Sequence, residues 1–392
     1  MESSPRALTF CLLSFEGPDR YALAAGLGVR VTNLAEVLAR RGFETRLFLV
    51  GDPAAPGYES RLDGRLILHR WCQWISAYHP TGVYEAEDSK MWDFNNSAPP
   101  FIIEHVIRPA LAAGRLPVIM AEEWQTAEAL IRLDDQLRDV GLRRQCVLFW
   151  NANDTMSFHR VDWPRLNAAA QLTTVSRYMK HLMWDMGLNP LVIPNGIRAD
   201  LLEPVDAVQV AALSQTLSHT GSTLMLFKVG RFDPAKRWLM AVEAAAQLKA
   251  SGHRVIFPLR GGIEPHGWEL LTRARELGLH VTNVSGHPAS WDEVLELLRS
   301  AGPADVYNLR FHMSQDMLRP FYAAADAVLA NSGHEPFGLV GLEAMAAGGG
   351  GLYRHDGRGL CPGRSECGNA GHRQAGRDCF ADTRTPEAPG AS

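Results

Sequence analysis

The sequence lacks a long apolar run near its start. The stretch from Ala7 to Leu13 is far shorter than the roughly 20 residues that a membrane-spanning helix needs, and no small-residue cleavage site follows it. We therefore predict that this stretch is the first buried strand of a cytoplasmic protein. No internal repeat is detectable either.

An excess of either sign of charge is also missing. The 39 Lys and Arg residues against 43 Asp and Glu residues give a formal net charge of −4. This balance gives no reason to expect nucleic acid or an anionic membrane as the main partner, so any basic site must be local. Peripheral contact with a membrane and the oligomeric state stay open. A chain of 392 residues with 46% hydrophobic residues predicts about two globular domains.

Cysteines are few and unevenly placed. Cys11, Cys72 and Cys146 stand singly in apolar surroundings, which is typical of reduced core cysteines. Near the C terminus, three more cysteines lie close to two histidines: Cys361, Cys367, Cys379, His355 and His372. The separations between these cysteines fit poorly to the short Cys pairs of zinc sites. We therefore predict no zinc site in this cluster.

Short apolar runs alternate with helical patterns through both halves of the chain. In the first half, strands at Leu8–Leu13 and Thr45–Val50 flank a helix over Arg30–Arg41. Further strands are predicted at Leu116–Met120, Cys146–Trp150, Leu172–Val175, Leu191–Ile197, Leu224–Val229, Arg254–Leu259 and Ala327–Ala330, with helices at Arg237–Lys249 and Ser290–Ser300. Strands separated by helices imply parallel pairing in doubly wound sheets.

The alternation predicts an α/β protein with two Rossmann-like domains. The first is predicted to span residues 1–195 and the second, which is incomplete, residues 196–350. From about residue 351 to residue 392 glycine is dense and apolar residues are sparse, so this part is predicted to be a low-order tail.

Two loops after predicted strands combine charge with glycine. The first begins at Gly230, between a strand and a helix, where such folds place ligands. Arg231 offers a planar fork and Lys236 a mobile ammonium, and both suit a diphosphate. The alternative is a solvated turn in which Asp233 caps the following helix. Spacing alone does not separate these interpretations.

The second loop leads into a helix predicted from about Phe337 to Ala347, whose first backbone amides favour an anion. Glu335 and Glu343 suit sugar hydroxyls, but they would repel phosphates. Alternatively, both carboxylates simply favour the N-terminal half of a helix. That alternative leaves Gly338 and Gly341 unexplained, although both cost helix stability.

Together these segments resemble the retaining GT-B glycosyltransferases of family 4, the glycosyl transferases group 1. The run from Glu335 to Glu343 matches the Glu-x7-Glu motif of that family, and the run from Gly230 to Lys236 resembles its preceding loop. Similar runs occur at Gly26–Ala35, Val192–Gly196 and Tyr322–Asp326. The resemblance covers residues 8–350 and is strongest from residue 190 onward.

The resemblance implies transfer of a sugar from a nucleoside-diphosphate sugar to a small-molecule or glycan acceptor, with retention of configuration and without a metal ion. Arg231 and Lys236 would hold the donor diphosphate, and Glu343 would accept hydrogen bonds from the ribose hydroxyls. The other expected contacts to the donor are those of Glu335, Phe337, Gly338, Leu339, Gly26, Gly28 and Gly230.

The N-terminal half shows departures from the family pattern and candidate acceptor groups. Gln125 stands where the family often has histidine. Ala25 stands where the family often has glycine, in an expected loop over residues 25–28 that would come close to the phosphates and the acceptor, so that side chains there must be small. Asn151–Asp154 and the nearby His159 are candidate acceptor-side groups, although a lone histidine is more often structural. Asp134-Asp135 is interpreted as a solvated helix face and not as a metal-binding Asp-x-Asp site.

The resemblance stops soon after Glu343. Codons able to encode residues 351–361, read one base later, can also encode Val-Tyr-Thr-Gly-Thr-Thr-Gly-Glu-Asp-Tyr-Ala, which is close to what the family places there. A truncated or frame-shifted chain is therefore one hypothesis. The alternatives to an active transferase are an inactive remnant that at most binds nucleotide, and another GT-B activity such as a sugar phosphorylase or epimerase.

Overall fold

The computed structural model describes residues 7–24, 26–218, 223–333 and 335–349, and the backbone of residues 351–353. The chain divides after Arg198 into two compact units, called unit 1 and unit 2 here. The division predicted between residues 195 and 196 lies close to this point. Among the described residues, no helix is long and apolar enough to cross a membrane.

Unit 1 is built on a sheet of eight described strands. They are β1 (Leu8–Leu13), β2 (Glu44–Val50), β3 (Tyr58–Arg61), β4 (Leu66–Trp71), β5 (Leu116–Glu122), β6 (Val147–Ala152), β7 (Gln171–Thr174) and β8 (Leu191–Val192). The strand order is β3-β4-β2-β1-β5-β6-β7-β8. All neighbouring pairs are parallel except β3 and β4. Both faces of such a sheet need helices to cover them.

The helices of unit 1 connect these parallel strands. They are α1 (Gly26–Arg40), α2 (Gln73–Ser76), α3 (Glu87–Ile102), α4 (Arg108–Ala112), α5 (Ala127–Asp139), α6 (Trp163–Ala169) and α7 (Arg177–Trp184). Short 3-10 turns lie at Trp124–Thr126, Arg143–Gln145 and Phe158–Arg160, and a π-helical turn at Ile103–Ile107 joins α3 to α4.

Unit 2 is built on a second, fully parallel sheet. Its strands are β9 (Thr223–Val229), β10 (Arg254–Arg260), β11 (Val281–Ser285), β12 (Val306–Arg310), β13 (Ala327–Ala330) and β14 (Gly351–Tyr353), in the order β11-β12-β10-β9-β13-β14. Its helices are α8 (Ala207–Thr216), α9 (Trp238–Ala250), α10 (His266–Glu276), α11 (Trp291–Ala301), α12 (Gln315–Ala324) and α13 (Leu339–Ala346). Two separate clusters of buried side chains pack around this sheet, one centred on Phe227 and Phe321 and the other on Trp238 and Phe257.

The predicted architecture of two doubly wound sheets is confirmed, with local differences. Helix α1 begins at Gly26 instead of Arg30. The strands β3, β4, β11 and β12 were not predicted. Two of them, β3 and β11, are polar and only partly buried, whereas β4 and β12 are buried. Gly351–Tyr353 forms β14 beside β13, where the sequence predicted low order. The rest of the predicted tail, including the cysteine–histidine cluster, lies outside the described residues.

The three described cysteines are free and buried, as the sequence predicted. Burial raises the pKa of the Cys11 thiol to about 12 and that of Cys146 to about 11. Both thiols therefore stay protonated at neutral pH and act as small apolar core groups.

Asp134 on α5 is buried, so the prediction of a solvated Asp134-Asp135 face was wrong for this residue. Its carboxylate accepts a hydrogen bond from Arg138 Nε at 2.7 Å. The same carboxylate also lies in close contact with Arg143 Nε. Arg143 also donates to the carbonyls of Cys146 and Ala169. Asp134 therefore holds an arginine that fastens the loop after α5 to its neighbours. Asp135 is exposed and pairs with an exposed arginine.

We predict that Asp134→Asn lowers the stability of unit 1 by about 1–3 kcal/mol, because a buried carboxylate with two guanidinium partners is lost. Asp135→Asn is the matched control on the next residue, and its effect should stay within about 0.5 kcal/mol. Urea unfolding followed by circular dichroism measures both. Equal effects of the two substitutions would contradict the assignment.

Candidate functional site

Each unit gathers polar side chains where its parallel strands end, which is where doubly wound folds bind ligands. In unit 2 these are the loops that follow β9 and β13. In unit 1 they are the segments that follow β1, β5 and β6.

The loop after β9 is held by local capping. Gly230, which opens it, has φ +152°, a backbone conformation that other residues rarely adopt. Asp233 accepts a hydrogen bond from the Ala235 amide at 2.8 Å and caps the 3-10 turn Pro234–Lys236. The capping alternative is therefore realised on this turn, while α9 begins later at Trp238. Because Asp233 caps a backbone amide, it leaves the charged side chains of Arg231 and Lys236 available for other partners.

Arg231 and Phe232 have opposite environments in this loop. The Arg231 side chain is exposed and forms no hydrogen bond or ion pair with the described residues, while its carbonyl accepts from Trp238 Nε1 at 2.7 Å. The Phe232 ring is buried and occupies the space beside Gly261 and Gly267, where a Cβ would lie within 2.4 Å of ring atoms. Phe232 thus anchors the loop, and Arg231 extends from an anchored backbone.

The loop after β13 is tied to the loop after β9. The Gly333 amide donates to the Ala235 carbonyl at 2.7 Å, and Lys236 Nζ lies 2.5 Å from Glu335 Oε2. Both side chains of this ion pair are about one-third exposed, at 31% and 33%. The structure therefore brings together two predicted site residues, and in the absence of ligand it pairs them with each other.

A buried lysine that sequence reasoning missed lies behind these loops. Lys228 is 2% exposed, and its Nζ donates to the Leu329 carbonyl at 2.9 Å and to Asn331 Oδ1 at 2.5 Å. Nζ also lies 5.0 Å from the centre of the Trp238 ring. Burial, and then the charge of Lys236, lowers the pKa of Lys228 to about 7. The signal in the sequence was a single lysine inside an otherwise apolar strand.

Glu343 lies within α13 and is oriented by two donors. Its Oε1 accepts from Gln315 Nε2 and its Oε2 from Tyr322 Oη, both at 3.0 Å. Burial raises the pKa of this carboxyl. Helix α13 begins at Leu339, two residues later than predicted, and Gly338 before it has φ +71° and provides no side-chain cap. The first amides of α13 therefore keep their capacity to bind an anion.

In unit 1, Gly26 and Gly28 lie in the first turn of α1 and not in a loop, so the prediction of a loop was wrong. The Gly28 amide donates to Glu16 Oε2 at 3.0 Å. A Cβ at Gly28 would lie 3.0 Å from the same oxygen and 2.8 Å from Leu23 Cδ1. A small residue is needed here, as predicted. In the structure, the group that fills the space is the Glu16 carboxylate of the chain itself.

Glu122 is a fully buried carboxylate at the end of β5. It accepts from Asn151 Nδ2 at 2.9 Å, from Asn153 Nδ2 at 3.0 Å and from Arg30 Nε at 3.1 Å. Arg30 also contacts the side chain of Asn195. The candidate acceptor residues Asn151 and Asn153 therefore hold Glu122, while the third candidate, His159, is exposed.

Glu123 follows in a strained backbone conformation, with φ 67° and ψ 167°, a region that residues other than glycine rarely adopt. One carboxylate oxygen accepts from the amides of Asn153 and Asp154, at 2.6 and 3.2 Å. Burial, and then the charge of Asp154, raises the pKa of Glu123 to about 8. Gln125 beside it is buried and donates to Glu87 at 2.9 Å. Strained, buried and titratable groups of this kind cluster at functional sites.

Residues 212–349 match the model of the family described as glycosyl transferases group 1. This segment contains Arg231, Lys236, Glu335 and Glu343. Among curated proteins, the chain is similar to the D-inositol 3-phosphate glycosyltransferase of Actinosynnema mirum, with 36% identity over 162 residues, or 40% of this chain and 33% of that protein. The match spans about a third of the length of such relatives.

Solved structures share the fold over most of the chain. The catalytic domain of starch synthase IV from Arabidopsis thaliana, bound to ADP and acarbose, matches with a TM-score of 0.61 and 18% identity, covering 89% of this chain and 83% of that one. Sucrose-phosphate synthase from Thermosynechococcus elongatus matches with a TM-score of 0.54 and 20% identity, covering 88% and 81%. The predicted GT-B arrangement of two Rossmann-like sheets is thereby confirmed.

The buried ammonium of Lys228 predicts a pH dependence of stability. Its pKa is about 7 in the folded chain against 10.5 for an ordinary lysine side chain, so between these values the unfolded chain binds more protons. Stability should therefore rise with pH across this range, by roughly 2–4 kcal/mol. Lys228→Met should flatten this rise, whereas the exposed control Lys249→Met should not. Urea midpoints of unit 2 at pH 7 and pH 10 measure the effect. Parallel slopes for wild type and Lys228→Met would contradict it.

Proposed function

We propose that the chain is a family 4 glycosyltransferase, which transfers a sugar from a nucleoside-diphosphate sugar to an acceptor hydroxyl with retention of configuration. The observation that carries the proposal is the joined pair of loops after β9 and β13. They combine two cations, an ion-paired carboxylate and an uncapped helix start within the segment that matches the family model.

The donor diphosphate binds to Arg231 and Lys236 in this proposal. Arg231 extends from a fixed backbone, and Lys236 is already held at the loop junction by Glu335. A diphosphate brings more negative charge than one carboxylate, so it draws Lys236 from Glu335. Glu335 is then released to accept a sugar hydroxyl, next to the first amides of α13 at Gly338 and Leu339.

The ribose of the donor binds to Glu343. Both oxygens of this carboxylate accept one hydrogen bond from the chain, and each has a second lone pair for a ribose hydroxyl. Gln315 and Tyr322 therefore fix the direction of the remaining lone pairs. Burial without a cation partner keeps Glu343 suited to a neutral diol and unsuited to a phosphate.

Catalysis in this proposal depends on stabilising the leaving group. As the bond between the anomeric carbon and the phosphate oxygen breaks, negative charge develops on the nucleoside diphosphate, and Arg231, Lys236 and the amides of α13 stabilise it. The acceptor hydroxyl attacks the same face of the sugar and transfers its proton to the departing phosphate oxygen. These charged side chains and amides provide the stabilisation without a divalent ion.

The direct test is an assay of the whole chain with UDP-, GDP- and ADP-sugars in buffer containing EDTA. Release of nucleoside diphosphate with an acceptor product of unchanged anomeric configuration, read by proton NMR, supports the proposal. Inversion, or dependence on a divalent ion, contradicts the mechanism. Nucleotide binding without turnover would identify the chain as an inactive remnant, and turnover of a sugar 1-phosphate alone would identify a phosphorylase.

Substitution of the two cations gives a sharper prediction. Lys236→Met and Arg231→Met should each lower kcat by about 10²–10³-fold, because each removes a charge that acts mainly in the transition state. Lys249→Met is the control, since Lys249 is an exposed lysine of the same unit that pairs with Asp305. It should leave kcat unchanged. Steady-state kinetics measure the effect, and loss of activity in all three variants alike would contradict it.

A further inference from the structure

We propose, resting on the proposed function, that unit 1 binds an acceptor that carries hydroxyl or amino groups and no phosphate. The acceptor class is then an unphosphorylated cyclitol or sugar, or its amino-substituted form. The inference comes from Glu16, Glu122, Glu123 and Gln125, where β1 and β5 end.

The N-terminus of α1 is already occupied by an anion of the chain. In a helix of 15 residues the first amides and the dipole would otherwise favour a phosphate. Here Glu16, which is 1% exposed, accepts from the Gly28 amide at 3.0 Å and from the Tyr84 hydroxyl. A phosphate at this helix start would have to displace a buried carboxylate.

Three cations of this face are already engaged. Arg30 is paired with Glu122 at 3.1 Å, and Arg160 is paired with Asp88 at 2.6 Å. The fully buried Lys90 donates to the Tyr21 hydroxyl at 2.6 Å and to the carbonyls of residues 82 and 83, both at 3.1 Å. The two buried cations, Arg30 and Lys90, therefore have their charge balanced or their donors used and offer a phosphate no counter-charge, whereas the exposed Arg160–Asp88 pair carries little weight either way.

Carboxyl and amide oxygens at the same strand ends can accept further hydrogen bonds. The Glu123 side chain is buried, and its Oε1 accepts from the amides of Asn153 and Asp154. The Gln125 side chain is 4% exposed, and its Oε1 has no hydrogen-bond partner while its Nε2 donates to Glu87. Buried acceptors without partners are costly. A ligand with hydroxyl or amino donors satisfies them, and a phosphate dianion does not.

Acidic side chains surround two groups at these strand ends, Glu123 and Tyr84. Beyond burial, the charges of Asp154 and Glu122 contribute to the raised pKa of Glu123. Beyond burial, the charges of Glu16, Glu123 and Glu87 contribute to the raised pKa of Tyr84. The acidic side chains around both groups oppose an anionic ligand and favour an ammonium.

The experiment measures binding of matched ligand pairs to the whole chain by saturation-transfer NMR. The pairs are inositol with D-inositol 3-phosphate, and glucosamine with glucosamine 6-phosphate. We expect the phosphorylated member of each pair to bind about tenfold more weakly or worse, because it meets like charges at the face. Equal or tighter binding of the phosphorylated members overturns the proposal, and so does failure of both unphosphorylated members to bind.

Two variants and a control assign any preference to these residues. Glu16→Gln should strengthen binding of D-inositol 3-phosphate by about tenfold, because it removes the negative charge at the start of α1. Glu123→Gln should weaken glucosamine binding by about tenfold, because it replaces one carboxyl oxygen, which can accept a hydrogen bond, with an amide group that can only donate. Glu104→Gln, at an exposed carboxylate of the same unit, should change neither. If Glu16→Gln and Glu123→Gln both behave like this control, the proposal is overturned.

Failure of the proposed function has a different readout. Binding of nucleoside diphosphates belongs to unit 2 in the proposed function and is followed separately by thermal shift, with Lys236→Met as the variant that should weaken it. Loss of nucleotide binding with the acceptor preference intact refutes the transferase assignment alone. Nucleotide binding without the acceptor preference refutes the inference about unit 1 alone.

Discussion

The pairing of β9 with β13 is the constraint on which the site of unit 2 depends. These strands are separated by about a hundred residues in the chain, and the parallel register of Phe227 with Val328 aligns their carboxyl ends. Every contact between the two loops follows from that alignment, including the Gly333–Ala235 hydrogen bond and the Lys236–Glu335 ion pair. The loops can therefore act as one anion-binding surface, because the sheet brings together groups that are distant in sequence.

The strand ends of the two units have opposite electrostatic character. In unit 2, Arg231 and Lys236 are accessible and the start of α13 has no side-chain cap. In unit 1, the buried carboxylate of Glu16 accepts a hydrogen bond from the first turn of α1, and the buried carboxylate of Glu122 pairs with Arg30. One face therefore favours a ligand with phosphates, and the other a ligand with hydrogen-bond donors. This difference is what transfer from an anionic donor to an unphosphorylated acceptor requires.

The sequence predicted the two doubly wound sheets because apolar periodicity directly reflects burial in a parallel sheet. It also predicted that charged loops follow β9 and β13, since strand ends are visible as the end of an apolar run. It did not predict that Lys228 supports these loops, because the partners of its ammonium, Leu329 and Asn331, lie about a hundred residues away in the sequence. Nor did it predict the burial of Asp134, which depends on Arg143 reaching it from the next loop. Partners that meet only through tertiary packing leave no local pattern.

Gly28 shows that a match to the glycine motif of the family does not determine the charge of the group that binds at the start of α1. A glycine at the start of α1 is compatible with a phosphate that approaches the helix amides, and the family pattern suggests that interpretation. In this chain the same lack of a Cβ makes room for the carboxylate of Glu16, 12 residues earlier in sequence. Since either occupant would require the glycine, the motif cannot distinguish them. The residue that decides is Glu16, which lies outside the motif, and it reverses the sign of the charge at the helix start. In the proposed transferase, the side chains that surround the glycines set the chemistry of the acceptor.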